Sequence, residues 1–252
     1  MTDPQDRIAQ LEAELAAQRR EMQDFTYTVS HDLRAPLRHI VSYAALVKED
    51  AGPQLSAEVL GFLDTITGSA RQMGVLLDGL AELSRVGTAA LALGPVPLQA
   101  MVQGVCDELA GQHPGRAVDW RIASDLPVVQ ADAALLRQAL AQVLGNAIKF
   151  TAPRARAVIA VTGLTGLTEL RPRAGANGDW IALQVRDNGV GYDPARQGKL
   201  FQVFGRLHSE REFAGIGMGL VLTRKIMQRL GGSVDSEGVV DGGCCVNLLL
   251  KA

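Results

Sequence analysis

No apolar run in this chain approaches the roughly 20 residues that a membrane-spanning helix requires. The first ten residues, MTDPQDRIAQ, lack the apolar core of a secretory signal, so the expected compartment is the cytoplasm. Cysteine is scarce: Cys106, Cys244 and Cys245 form an odd set with no CxxC or Cys/His spacing, which argues against a disulfide scaffold and a zinc site. Cys244 and Cys245 fall in an apolar run read as a strand, where neighbours point to opposite faces, and they read as small buried hydrophobes. Neither sign of charge dominates, with 25 Lys and Arg against 27 Asp and Glu, and this disfavours a binder of nucleic acid or membrane surfaces. Aromatic residues make up only 4%, so the core must be built mainly from Leu, Val and Ala, which suits packed helices. A P-loop is missing, because Gly198-Lys199 is followed by Leu200 and not by Ser or Thr. The HRD and DFG signatures of serine/threonine kinases are missing too. The sequence holds no internal repeat and no low-complexity segment.

What is present begins with a long helical pattern from residue 4 to about 50. Ile8, Leu11, Leu15, Gln18, Met22, Phe25 and Val29 recur in alternating steps of three and four. That spacing is a heptad seam with one polar member, and little nearby sequence could bury it, so it points to a second copy of the chain. AGPQLS (51–56) breaks the pattern, and Ser56 is placed to cap a second helix running to about Arg85. One helical hairpin exposes an apolar face, and two close into a four-helix bundle. Residues 87–97, with two prolines and two glycines, read as a linker. Beyond them, helices are expected over Leu98–Gly111, Ala131–Phe150 and Met218–Leu230. Strands are expected over Ala117–Ala123, Ala157–Gly163, Trp180–Arg186, Ser233–Glu237 and Cys244–Leu250, with an exposed hairpin connection at LTELRPRAGANGD. The expected fold class is therefore α+β: a helical hairpin, then an α/β sandwich of helices on a sheet.

Four blocks carry chemistry. A lone histidine within a helix is usually structural, but His31 is followed by Asp32, with Arg34 one turn on and Pro36 expected to interrupt the helix. An imidazole becomes a nucleophile toward phosphorus when a carboxylate holds its other ring nitrogen. In LRQALAQVLGNAIKFT, Asn146 and Lys149 share one helix face. An amide oxygen can ligate magnesium, and an ammonium can meet phosphate. DNGVG follows a strand, and Gly189 and Gly191 allow the backbone a sharp turn beside the Asp187 carboxylate. GIGMGL opens a helix with Gly215, Gly217 and Gly219, where free N–H groups suit phosphate. Its place late in the chain, after a long loop, does not fit a dinucleotide-binding fold.

The blocks and their order resemble the catalytic core of bacterial sensor histidine kinases. Phe25, Ser30, His31, Asp32, Leu33, Arg34, Pro36 and Leu37 look like the H-box, and Asn146, Lys149 and Phe150 like the N-box. DNGVG looks like the G1 box, LFQVFGRLH (200–208) like the F-box and GIGMGL like the G2 box. The F-box wording is most like that of kinases found with phytochromes and related soluble sensors. The resemblance implies a Bergerat-type ATP site shared with gyrase, Mg2+ as cofactor, and a homodimer. By that match His31 is the phosphoacceptor and Asp32 assists proton removal. Asn146 ligates magnesium, Lys149 and Gly215, Gly217 and Gly219 meet phosphate, and Asp187 with Gly189 and Gly191 receives adenine. It also implies a response-regulator receiver domain as partner, an upstream sensor domain or protein as input, and a mobile lid between the F-box and G2.

The implied division is a coiled-coil signalling helix over 1–24, a dimerisation and histidine-phosphotransfer domain over 25–86, a linker over 87–97 and an ATP-binding domain over 98–252. Two departures stand out. Gln142 occupies a place where the family often has a further Asn, and Ala35 one where many relatives carry Thr or Asn to position water. The second implies weak phosphatase activity. Competing readings are a catalytically weak ATP-binding scaffold, or an ATPase or serine kinase on the same ATP fold.

Overall fold

The computed structural model describes residues 4–88, 90–165, 180–209 and 212–252. The chain divides into two compact units, Met1–Thr88 and Ala89–Ala252.

The first unit is an antiparallel hairpin of α1 (Pro4–Ala51) and α2 (Ala57–Thr88), joined through a short 3-10 turn at Gly52–Gln54. Ser56 Oγ accepts a hydrogen bond from the Val59 N–H at 3.3 Å and so serves the first turn of α2, as its sequence position suggested. Two ion pairs fix the register of the helices, Lys48–Asp64 at 2.7 Å and Arg34–Asp78 at 2.8 Å. The small residues Ser30, Ala44 and Ala70 are buried along the hairpin. A broad set of apolar side chains is not: Ile40, Val59, Phe62, Ile66, Met73 and Val75 are exposed within the single chain, as are Ile8, Leu11, Leu15, Met22 and Phe25 of the heptad seam. As its periodicity predicted, α1 is one helix to Ala51, and the interruption expected at Pro36 does not break it. The proline forfeits one hydrogen bond, that to the Asp32 carbonyl, and its ring lies on an exposed face, where the rest of a 48-residue helix outweighs the loss.

The second unit is a five-stranded sheet covered by three helices. Its strands are β2 (Val118–Ile122), β4 (Ala157–Thr165), β5 (Trp180–Asp187), β6 (Ser233–Val239) and β7 (Gly243–Lys251), in the order β2-β4-β5-β7-β6. Only β2 and β4 pair in parallel. Against the sheet lie α3 (Leu98–Gln112), α4 (Ala133–Phe150) and α5 (Gly219–Arg229). On α4 the i, i+4 stripe Leu136, Leu140 and Leu144 is fully buried, as are Ile226 and Met227 of α5 and Ile159, Leu183 and Leu248 of the sheet. Asp132 starts α4 by accepting the N–H groups of Ala134 and Leu135. Its other oxygen takes the N–H of Ala92, and these bonds hold its carboxyl below the usual range.

The reading of residues 87–97 as a linker is corrected here. Helix α2 continues to Thr88, and β1 (Leu93–Pro97) pairs antiparallel with β3 (Val128–Asp132) inside the second unit. Prolines are tolerated because this is an edge strand of a two-stranded sheet, where a missing N–H can face away from the partner. β3 itself carries no long alternating pattern and was not anticipated. The LTELRPRAGANGD connection lies outside the described residues.

The cysteines behave as small hydrophobes. Burial pushes the thiols of Cys106 and Cys244 up to about 12 and raises that of Cys245. Since the thiolate is the reactive form, iodoacetamide at pH 8 is expected to leave all three unmodified in the folded chain and to alkylate all three in urea. Mass spectrometry of the native protein with rapid labelling at any of them would contradict this.

Candidate functional site

The C-terminal turns of α4 bring Gln142, Asn146, Lys149 and Phe150 to one end of the second unit. Gly219, which opens α5, faces the first two. A methyl group in place of its hydrogen would lie 2.8 Å from Gln142 Oε1 and 3.5 Å from Asn146 Nδ2. Glycine lets both amide side chains lie against the helix start, and a larger residue would have to displace the end of Gln142. The α5 N-terminus has no side-chain cap, so its first N–H groups remain available to an anion. Gly215 sits beside Lys149, its hypothetical Cβ 3.3 Å from Nζ, and has a positive φ. Burial lowers the Lys149 pKa, and the nearby Arg206 cation lowers it further. Arg206 in turn donates to the carbonyls of Gly215 and Phe213 and so shapes the segment leading into α5. Gly217 packs against the Gly205 carbonyl at φ +75, a position no larger residue could take unstrained.

A second pole lies at the end of β5. Asp187 is 9% exposed. Its Oδ1 accepts the Gly189 N–H at 2.8 Å and the Cys244 N–H at 3.3 Å. Burial raises its pKa to about 6 despite these two donors. The loop after it is pressed between the end of α4 and the β6–β7 turn: Val190 N–H donates to the Phe150 carbonyl, and Asp241 N–H to that of Val190. Gly191 has φ +60, and a Cβ there would stand 1.8 Å from the Val239 carbonyl oxygen. Gly191→Ala is expected to destabilise the second unit by about 3 kcal/mol, combining left-handed strain with backbone displacement. Urea denaturation measures this, and an unchanged midpoint would show that the loop yields freely. His208, from the F-box segment, reaches the Gly191 carbonyl with Nε2 at 2.9 Å while its ring packs against Phe150 and Phe213.

Magnesium fits this chemistry. Among the described residues there is no cluster of three or more His, Cys, Asp or Glu side chains to make a protein-only metal cage. The converging amides of Gln142 and Asn146 are instead the hard oxygen donors that magnesium accepts alongside phosphate oxygens.

In the first unit, His31 is 68% exposed and its Nδ1 lies 3.2 Å from Asp32 Oδ1. Nδ1 is thus the ring nitrogen engaged by the neighbouring carboxylate. The Tyr27 ring lies alongside the imidazole, centroids 6.5 Å apart and 23° from parallel.

The ten residues singled out by sequence thus occupy two places. Asn146, Lys149, Asp187 and the five glycines share one unit, and His31 and Asp32 belong to the other. Arg154 was missed. It lies between α4 and β4 and donates to the carbonyls of Asn188, Gly189 and Asp241. No motif marks it, because its targets are main-chain oxygens, up to 87 positions away.

A helical hairpin with an exposed histidine, followed by an α/β sandwich with a buried carboxylate among glycine-rich loops, is the layout of a histidine kinase transmitter. Residues 21–89 match the His kinase A (phospho-acceptor) domain, and residues 131–252 match the histidine kinase-, DNA gyrase B- and HSP90-like ATPase. Cyanobacterial phytochrome B of Nostoc sp. strain PCC 7120 is 32% identical over 94% of this chain and 30% of its own. The methanogenesis regulatory histidine kinase FilI of Methanothrix harundinacea is 31% identical over 96% of this chain and 25% of its own. This chain therefore spans less than a third of the length of these curated relatives. Among solved structures, full-length ShkA in complex with AMPPNP superposes with a TM-score of 0.59 at 23% identity, over 91% of this chain and 46% of that one. Acinetobacter baumannii histidine kinase AdeS does so at 0.56 and 16%, over 88% and 97%. The chain belongs to the histidine kinase family. Among its described residues no helix is long and apolar enough to cross a membrane.

Proposed function

We propose that this chain transfers the γ-phosphoryl group of ATP to His31 and passes it on to an aspartate of a response-regulator receiver domain. The observation that carries the reading is an exposed imidazole with one nitrogen engaged by Asp32, on a chain whose other unit holds a buried carboxylate and a glycine-lined anion site. Asp187, with the Gly189 and Gly191 backbone, accepts the adenine amino group. Lys149 and the amides around Gly215, Gly217 and Gly219 hold the phosphates. Asn146, helped by Gln142, holds magnesium, which when bound neutralises phosphate charge. Asp32 keeps the imidazole in its reactive tautomer and takes up the ring proton. Positioning and charge compensation supply most of the acceleration in such transfers.

In this reading residues 1–24 form a coiled-coil signalling helix that takes input from a sensor domain or protein. Residues 25–86 form the dimerisation and phosphotransfer domain, and the ATP-binding domain covers 98–252 together with β1. The exposed apolar face of the hairpin supports a homodimer closing a four-helix bundle. The expected setting is the cytoplasm, where ATP is available.

Incubation with γ-labelled ATP and magnesium tests the proposal. Acid-labile, alkali-stable label on the protein, chased onto a receiver domain, is the expected result. Acid-stable label would indicate a serine kinase on the same ATP fold, and nucleotide binding without label a signalling scaffold. Ala35 adds a prediction: the unphosphorylated protein is expected to leave a phosphorylated receiver's lifetime unchanged, since a methyl group cannot orient a water. Rapid loss of receiver phosphate on adding the protein without nucleotide would refute it.

A further inference from the structure

Arg154 lies outside every motif in the chain, yet its side chain donates to three main-chain carbonyls around the loop that follows Asp187. Its Nε donates to the Asn188 carbonyl at 3.0 Å, and Nη2 donates to the Gly189 carbonyl at 3.0 Å and the Asp241 carbonyl at 2.7 Å. The Asp241 carboxylate is a further 3.6 Å neighbour. The arginine is itself fixed. Its N–H donates to the Thr151 carbonyl at 2.9 Å, and its own carbonyl accepts Arg116 Nη1 at 2.9 Å. Arg116 also holds the Thr151 carbonyl. A guanidinium is suited to this bridging because its donors lie in one rigid plane.

The peptide joining Asn188 to Gly189 explains why this matters. In a planar trans peptide the C=O and N–H point in opposite directions. Arg154 Nε holds the Asn188 oxygen of that peptide, so the Gly189 N–H is turned the other way, onto Asp187 Oδ1 at 2.8 Å. With Oδ1 taken by Gly189 and Cys244, Oδ2 is the oxygen left to meet a ligand. Glycine at 189 and 191 gives this loop no stiffness of its own. The guanidinium supplies it, clamping both Asn188–Gly189 and the β6–β7 turn.

We infer that Arg154 is a positioning residue for base selection: by locking the Asn188–Gly189 peptide, it aims the free oxygen of Asp187 at the exocyclic amine of the nucleotide. The inference rests on the reading of Asp187 as the adenine acceptor. Inosine triphosphate separates the two, because it carries the same phosphates and ribose but an oxygen in place of that amine. Calorimetric titration of the full chain with ATP and with ITP, each with magnesium, gives an ATP/ITP preference. Arg154→Met is expected to lower that preference about tenfold, the loss of one charge-assisted hydrogen bond, by weakening ATP and leaving ITP nearly unchanged. Arg154→Lys, which retains a cation but cannot bridge three carbonyls, is expected to lower it about threefold. It is the deciding variant if Arg154→Met does not melt cooperatively.

A merely structural arginine would weaken both nucleotides by the same factor. An unchanged ATP/ITP ratio in Arg154→Lys and in any folded Arg154→Met therefore overturns the inference. A wild-type chain that binds ATP and ITP equally would instead overturn the reading of Asp187, and the inference with it.

Discussion

His31→Gln is expected to bind ATP and magnesium as tightly as the parent chain and to take up less than roughly one hundredth of the parent's label. The asymmetry follows from where the ring sits. It is mostly exposed on a helix, beside Asp32 and Tyr27, so its replacement should change stability by no more than about 0.5 kcal/mol. Glutamine keeps a polar, helix-compatible side chain but offers no nitrogen lone pair able to attack phosphorus. Asp32→Asn is the companion measurement. The 3.2 Å contact to Nδ1 is retained in length, but the carboxylate's charge is lost. Phosphorylation is then expected to slow by about 10²-fold without vanishing, as for loss of a general base whose nucleophile remains. Wild-type levels of acid-labile label on His31→Gln would place the acceptor elsewhere in the chain.

Asp187→Asn should do two opposite things. Nucleotide affinity should fall by about 10²-fold, because an amide whose oxygen accepts the Gly189 N–H turns its NH2 toward the adenine amine and leaves two donors facing each other. Stability without nucleotide should rise. The Asp187 carboxyl ionises near pH 6 in the folded chain, against an ordinary 3.8, because burial penalises its charge. Between those two values the folded state holds the proton more firmly than the unfolded state. Stability therefore declines as pH rises across that window and stays reduced above it. Removing the charge recovers about 3 kcal/mol at pH 7, a benefit that shrinks as pH is lowered toward 4. Calorimetric melting at pH 5 and pH 8 with the parent as reference measures this. An Asp187→Asn variant less stable than the parent at pH 8 would show that the carboxylate is a net stabiliser of the loop.

Both effects concern residues visible in the sequence, and much of the scaffold was visible too. Gly52, Pro53 and Ser56 marked the hairpin turn, because each acts on the backbone within a few residues of itself. The helix expected over Ala131–Phe150 forms as α4 (Ala133–Phe150). The misreadings share one cause. Leu93–Pro97 looks like a linker when its own prolines and glycine are considered, and becomes a strand only because Val128–Asp132 comes alongside. Pro36 looks like a helix break until the full length of α1 carries it. Arg154 looks like one more basic residue in a loop until three carbonyls from distant segments converge on it.

The sequence by itself determined the two-part architecture, the helical histidine with its neighbouring acid, and the acidic and glycine-rich blocks that fold into one unit. These rest on periodicity, local capping and the intrinsic chemistry of single residues. Only the tertiary structure decided which oxygen of Asp187 is spent on the protein and which is left open, why Gly191 admits nothing larger, and that one guanidinium holds the loop after Asp187. The physical reason is that desolvation and main-chain hydrogen bonding depend on what surrounds a group in space, and those neighbours are supplied by segments far away along the chain.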